Sequence, residues 1–284
     1  MNKQKIVLTL ACDDSKGIIS TVSSYISSCG GNIVESGQYV DSDENRFFMR
    51  LCFSVEDFFS LEDFKSGFSE ALADFQVDWS VHDLAVKPRV MIMVSQLGHC
   101  LNDLLYRHSI NQLPMELVSI VSNHETYRSR AEHEGVDFYY LPITAETKPE
   151  QEAQLIKLIE DQEIDLVILA RYMQVLSDDL CQKLAGKVIN IHHSFLPSFK
   201  GGKPYHQAHD RGVKLIGATA HYVTADLDEG PIIEQGVKRV DHAVSANAMV
   251  AIGRDTECQV LAKAVKLQLE HRILLNEHRT VIFE

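Results

Sequence analysis

Asn190 and His192 stand two residues apart in the run Val188-Ile189-Asn190-Ile191-His192-His193-Ser194. The apolar residues around them mark a buried strand, and period-two spacing turns both polar side chains to one face. An amide beside an imidazole suits one kind of work. The amide donates to a developing oxyanion while the imidazole moves a proton. Asp228, on the turn ahead of Gly230-Pro231, supplies a carboxylate that can orient such an imidazole across a cleft. His193 and His221 are expected to support this site structurally, and Met91, Met93 and Met173 to line core or pocket. Thirteen histidines invite a metal reading. Yet the chain carries neither H-E-x-x-H nor a Cys/His cluster at zinc spacing, so no metal is expected.

The elements that must position these residues fall into two series. Residues 5–11 read as a strand. The turn Asp13-Asp14-Ser15-Lys16-Gly17 follows, and then a helix with Ile18, Ile19, Val22 and Ile26 at helical spacing. Strands are expected at 32–40 and 46–54, a helix at 61–74 and a strand at 76–82. That order is the ferredoxin-like βαββαβ arrangement. The stretch 83–89, with Pro88, reads as a linker. Beyond it, short apolar runs at 90–94, 116–121, 137–141, 165–170 and 187–191 alternate with helical stretches at 99–110, 124–134, 149–162 and 177–185. The pattern predicts a doubly wound α/β domain whose mostly parallel sheet is covered on both faces. Asn190 and His192 then lie at the carboxyl end of a strand, where open α/β sheets bind ligands. Strand-like runs at 215–224 and 231–240, a helix at 245–275 and a strand at 280–283 close the chain. The expected division is 1–84 and 85–284.

Composition narrows the partners. The chain has 27 Lys and Arg against 40 Asp and Glu, a net charge of −13, with no basic stripe. Nucleic acid is therefore not an expected partner. The cysteines Cys12, Cys29, Cys52, Cys100, Cys181 and Cys258 are scattered and form no C-x-x-C pair. With no secretory h-region and no apolar run near ~18 residues, a soluble, cytoplasmic protein without membrane contact is expected.

The separated motifs match a family. The runs Asn190-Ile191-His192-x-Ser194-x-Leu196-Pro197, Gly217-Ala218-Thr219-Ala220-His221-Tyr222-Val223 and Leu227-Asp228-Glu229-Gly230-Pro231-Ile232-Ile233 resemble the formyltetrahydrofolate-dependent formyltransferases and hydrolases, from about residue 88 to the end. The resemblance implies a catalytic trio of Asn190, His192 and Asp228. It also implies a folate pocket built from Arg171, Tyr172, Met173, Gln174, Val175, Leu176, His221, Val223 and Thr224, with the backbone of 171–176 meeting the pterin ring.

Within the family, transferases that act on a ribonucleotide carry a Gly-Ser-Asn phosphate loop after the first strand of this domain. Here Ser95-Gln96-Leu97-Gly98-His99-Cys100-Leu101 takes that place, and His193 stands where the transferases usually have Pro. Together with 199–206, this resembles the deformylase branch. That branch splits 10-formyltetrahydrofolate into formate and tetrahydrofolate, balances one-carbon pools, supplies formate for purine synthesis and uses no cofactor. His193 and the 199–206 loop are expected to close the acceptor side. The N-terminal unit resembles an ACT domain, with Asp13, Gly17, Ile18 and Asn32 as a possible amino-acid effector site, and the chain is expected to be a homo-oligomer. Two alternatives stay open: formyl transfer to an amine acceptor, and a non-catalytic folate or amino-acid sensor.

Overall fold

The computed structural model describes residues 4–56, 59–194 and 204–284, and the chain divides into two compact units. The first comprises residues 1–87, 270–276 and 281–284. Its elements are β1 (Gln4–Asp13), α1 (Ile18–Ser28), β2 (Asn32–Asp41), β3 (Arg46–Val55), α2 (Leu61–Ala71) and β4 (Val77–Asp83). The strands form one antiparallel sheet in the order β2-β3-β1-β4. Alternate residues Ile6, Leu8 and Leu10 of β1 meet Ile18, Val22 and Ile26 of α1 and Phe64 and Phe68 of α2, so both helices share one core with the sheet. Gly17, at φ 96°, turns the chain into α1, and Ser60 caps α2 by accepting the Asp63 N–H.

The opposite face of this sheet is also covered, which explains why β3 is buried along nearly its whole length. Leu274, Val281 and Phe283 pack with Ala11 and Phe48, and the buried Arg50 donates to the carbonyls of Glu270 and His271 and to Glu35. The sequence expectation gave everything after residue 84 to the second unit. The structure returns the C-terminal stretches to the first. It also corrects the helix expected at 245–275. That helix, α8, runs only Ala246–Leu269, His271 turns at φ 51°, and β12 (Ile273–Asn276) pairs with β13 (Arg279–Ile282).

The second unit comprises 88–269 and 277–280. It holds β5 (Arg89–Val94), α3 (His99–Ser109), β6 (Glu116–Ser122), α4 (Arg128–His133), β7 (Asp137–Tyr140), α5 (Lys148–Asp161), β8 (Leu166–Leu169), α6 (Asp178–Lys183), β9 (Val188–His192), α7 (Pro204–Asp210), β10 (Leu215–Tyr222), β11 (Ile232–Arg239) and α8. One seven-stranded sheet runs β11-β10-β9-β8-β5-β6-β7, parallel from β9 to β7, with β10 and β11 added antiparallel. This is a mixed α/β architecture on a mostly parallel sheet. Its central strands are apolar throughout, and Met91 and Met93 are fully buried core residues. The helix expected at 124–134 opens as a 3-10 turn, Glu125–Tyr127, before α4, and α7 had no counterpart in the sequence reading. No helix among the described residues is long and apolar enough to cross a membrane.

Candidate active site

β9 buries Val188, Ile189 and Ile191 and leaves Asn190 and His192 partly exposed on the alternate face. β10 runs antiparallel beside it, with His221 directly opposite Asn190 and Thr219 opposite His192. Directly paired residues share a face of the sheet. Accordingly Nδ2 of Asn190 lies 3.3 Å from Nε2 of His221. His221 is almost wholly buried, and its Nδ1 donates to the Tyr222 carbonyl at 2.9 Å, which fixes the ring.

Asp228 arrives from the segment between β10 and β11. A β-bulge at Ala220/His221 and the bond from the Tyr222 N–H to the Pro231 carbonyl set its path. Gly230 is obligatory there: a Cβ would lie 1.8 Å from the Tyr222 carbonyl oxygen. Asp228 itself sits at φ 59°, in the left-handed region. Its Oδ2 is 3.1 Å from Nδ1 of His192 and its Oδ1 is 3.7 Å from Nε2 of His221. The hydrogen bond from His192, and then that from His221, hold the Asp228 carboxyl well below the usual carboxylate range against the opposing effect of burial. An ionised carboxylate only accepts, so Nδ1 of His192 carries the proton and Nε2 is left for proton transfer.

His193 stacks on His192 with ring centroids 4.8 Å apart. Burial first, and then the positive charge of Arg171 and of His192, push its pKa down to about 4, so this ring is neutral at pH 7. The structure places His193 against His192 and His221 between Asn190 and Asp228. The cross-strand register that does this is not visible in one strand's sequence.

These groups open into a cleft of about 790 Å³, solvent at its mouth included, lined by residues 171–176, Asn190, His192, His193, His221, Val223, Thr224 and Asp228 among others. Every residue expected to hold folate is thus on the wall that also carries Asn190, His192 and Asp228. Met173 and Val175 leave apolar surface exposed at the rim, suited to a flat ring. The motif residues Leu196 and Pro197 and most of the 199–206 loop lie outside the described residues.

A second polar cluster lies behind Arg171 and escaped the sequence reading. Glu257 on α8 is buried, accepts from Tyr205 Oη and meets His99 Nε2, each at 2.7 Å, and faces Arg171 Nε at 3.4 Å. Burial raises its carboxyl, but the His99 hydrogen bond, the Arg171 charge and the Tyr205 hydrogen bond outweigh that and hold it low. His99, Cys100 and Glu257 bring ligand atoms within 4.8 Å of one another. A guanidinium inside the same cluster makes it a poor cation site.

Among known families, the formyl transferase model matches residues 88–265. The formyltetrahydrofolate deformylase of Corynebacterium sp. (strain P-1) is 50% identical over 277 residues, 97% of each chain. The crystal structure of formyltetrahydrofolate deformylase from Burkholderia mallei superposes with TM-score 0.95 at 49% identity, covering 99% of this chain and 100% of that one. Glycinamide ribonucleotide transformylase 1 from Symbiobacterium toebii matches at TM-score 0.64 and 28% identity, covering 70% of this chain and 95% of its own.

Proposed function

We propose a division of labour within a chain that belongs to the formyltetrahydrofolate deformylase family and hydrolyses 10-formyltetrahydrofolate to formate and tetrahydrofolate. A formamide carbonyl is an unreactive acyl group, and its amine must be protonated to leave. The amide of Asn190 donates to the oxyanion of the tetrahedral intermediate. His192 takes a proton from the attacking water on Nε2 and passes it to N10. Asp228 orients His192 through Nδ1 and accepts a hydrogen bond from the water. The observation that carries this reading is the ionised Asp228 held between His192 and His221, with Asn190 beside them, in one cleft.

The pterin ring lies against the backbone of 171–176, with His221, Val223 and Thr224 completing the pocket. Such a scheme calls for no metal or redox cofactor. The cytoplasm is the compartment this reading assigns. Purified protein given 10-formyltetrahydrofolate alone should release formate and tetrahydrofolate in equal amounts. A formylated amine as the main product, when glycinamide ribonucleotide is added, would overturn the hydrolase reading.

The first unit is read as an ACT domain, supported by its βαββαβ order and by Gly17 at positive φ ahead of α1. Asn32 opens β2 opposite Ser54, level with Lys5 and at the far end of the sheet from Asp13, so within one chain it stands away from that turn, a correction to the expected effector set. Asp13, which ends β1, can meet the ammonium of a small amino acid. The N–H groups at the start of α1, from Ile18, suit its carboxylate. Pairing of these units makes the chain a homo-oligomer. Calorimetry with glycine, serine and methionine, together with sedimentation, tests both statements. A blank titration or a monomer removes the corresponding one.

A further inference from the structure

The strand order of the second unit reverses between β5 and β8: β6 and β7 extend to one side, β9 and the antiparallel pair to the other. In open α/β sheets the crevice above the carboxyl ends at such a reversal is where ligands bind. In this chain that crevice is occupied by its own side chains. The loop after β5 is stitched down: Ser95 N–H donates to the Arg171 carbonyl, and Ser95 Oγ accepts from Met173 N–H and donates to Asn123. The Tyr127 ring lies over Gly98, where a Cβ would come within 2.2 Å of it, and its hydroxyl donates to the Gln96 carbonyl. Across from this loop, the Tyr205 ring lies so close over α8 that a Cβ at Gly253 would be 2.1 Å from it.

We propose that Tyr205, Glu257, His99 and Arg171 plug the acceptor half of the crevice and so decide that water, and not an amine, receives the formyl group. The proposal rests on the hydrolase reading above. Its physical basis is occupancy and charge. The buried Glu257 carboxylate meets Tyr205 Oη and His99 Nε2 at 2.7 Å and pairs with the Arg171 charge at 3.4 Å, so its nearest acceptor positions and its charge are turned on the chain's own groups. Arg171 is the cation that an anionic acceptor would seek at this point, and Glu257 already neutralises it. The matching unit of a glycinamide ribonucleotide transformylase shares this fold. What separates transfer from hydrolysis is therefore what fills the crevice and not the fold around it.

The two outcomes differ in one bond. With water, the new C–O bond replaces C–N10, one water proton passes to N10, and formate leaves with release of the other. With an amine, a new C–N bond replaces C–N10, and one amine proton passes to N10. Hydroxylamine is a small neutral nucleophile whose product, formohydroxamate, is read by its ferric complex. With 10-formyltetrahydrofolate and excess hydroxylamine, the wild type and Tyr205→Phe, which keeps the ring, should give formate with only background formohydroxamate. Tyr205→Ala should raise the formohydroxamate share roughly tenfold or more. His99→Ala removes one wall of the plug, leaves the Tyr205–Gly253 packing in place and should move the ratio in the same direction, so it carries the test if Tyr205→Ala is too unstable to purify. A share unchanged in whichever of these alanine variants still releases formate refutes the plug, as does formohydroxamate from the wild type or an equal gain in Tyr205→Phe. A wild type that releases no formate refutes the hydrolase reading instead.

Discussion

Replacing Asp228 by Asn is the most discriminating perturbation of the site. Asn is nearly isosteric and is among the residues that tolerate the left-handed backbone, so φ 59° should survive the change. What is lost is a negative charge 3.1 Å from Nδ1 of His192. As His192 takes a proton, an imidazolium develops beside that carboxylate. At a charge separation of about 4 Å and an effective dielectric near 20, the pair is worth about 4 kcal/mol, less the screening of a side chain that stays about a quarter exposed. About 3 kcal/mol corresponds to a loss of roughly 10² in kcat. If the amide turns its NH2 toward Nδ1, His192 is fixed in the wrong tautomer and the loss grows to about 10⁴. KM should stay within about threefold, because the folate wall at 171–176 is untouched. Steady-state and single-turnover formate release measure both quantities. Turnover within tenfold of wild type at unchanged KM would refute the assignment of Asp228.

His192→Ala should lower kcat by about 10²–10⁴ while calorimetry finds folate affinity within about threefold; a large affinity loss would move His192 from chemistry to binding. Gly230→Ala drives a Cβ into the Tyr222 carbonyl and should displace Asp228, so turnover should fall by about 10² or more with ~1–3 kcal/mol of stability. Wild-type activity in that variant would show that the 223–231 path is not what holds Asp228. Acid should destabilise the fold through two partly buried histidines, His193 lowered to about 4 and His271 to about 3, from an ordinary 6.5. Both stay neutral when folded but protonate when unfolded. Stability is therefore whole above about pH 6.5 and declines as pH falls from there toward 4 and 3, by up to about 3 kcal/mol for His193. Denaturant midpoints across this range should slope downward, and His193→Asn should flatten the slope; an unaltered slope in that variant counts against the His193 contribution.

Local sequence carried the parts of the site that local rules control. Asn190 and His192 share a face because strands have period two, and β9 delivers them so. The partnership of Asn190 with His221 depends on the β9–β10 register, which is a tertiary fact. The end of α8 was misread for a related reason. Leu267 to Leu275 is rich in helix formers, and only the packing of Leu274 on Ala11 and Phe48 makes β12 the better solution. Glu257 left a signal that went unused. It lies four residues after Gly253, three before Val260 and four before Leu261, on the buried stripe of α8. A carboxylate on such a stripe needs partners, and His99, Arg171 and Tyr205 come from three different elements.

Arg171 and Asp228 share a further property that ties stability to chemistry. Both are non-glycine residues at positive φ, 66° and 59°, and both line the cleft. Such backbone costs about 1 kcal/mol or more per residue and persists only where the surroundings enforce it. At Arg171 the enforcement is the ion pair with Glu257 behind the cleft and the Ser95 hydrogen bonds to its carbonyl and to the Met173 N–H. At Asp228 it is the pair of histidines in front and Gly230 pressed on Tyr222 behind. Glycine would relieve the strain at either position. It would also delete the charge that the strained backbone aims, at Glu257 in one case and at His192 in the other. The chain therefore gives up local stability at the two points where a fixed charge direction is what the site requires.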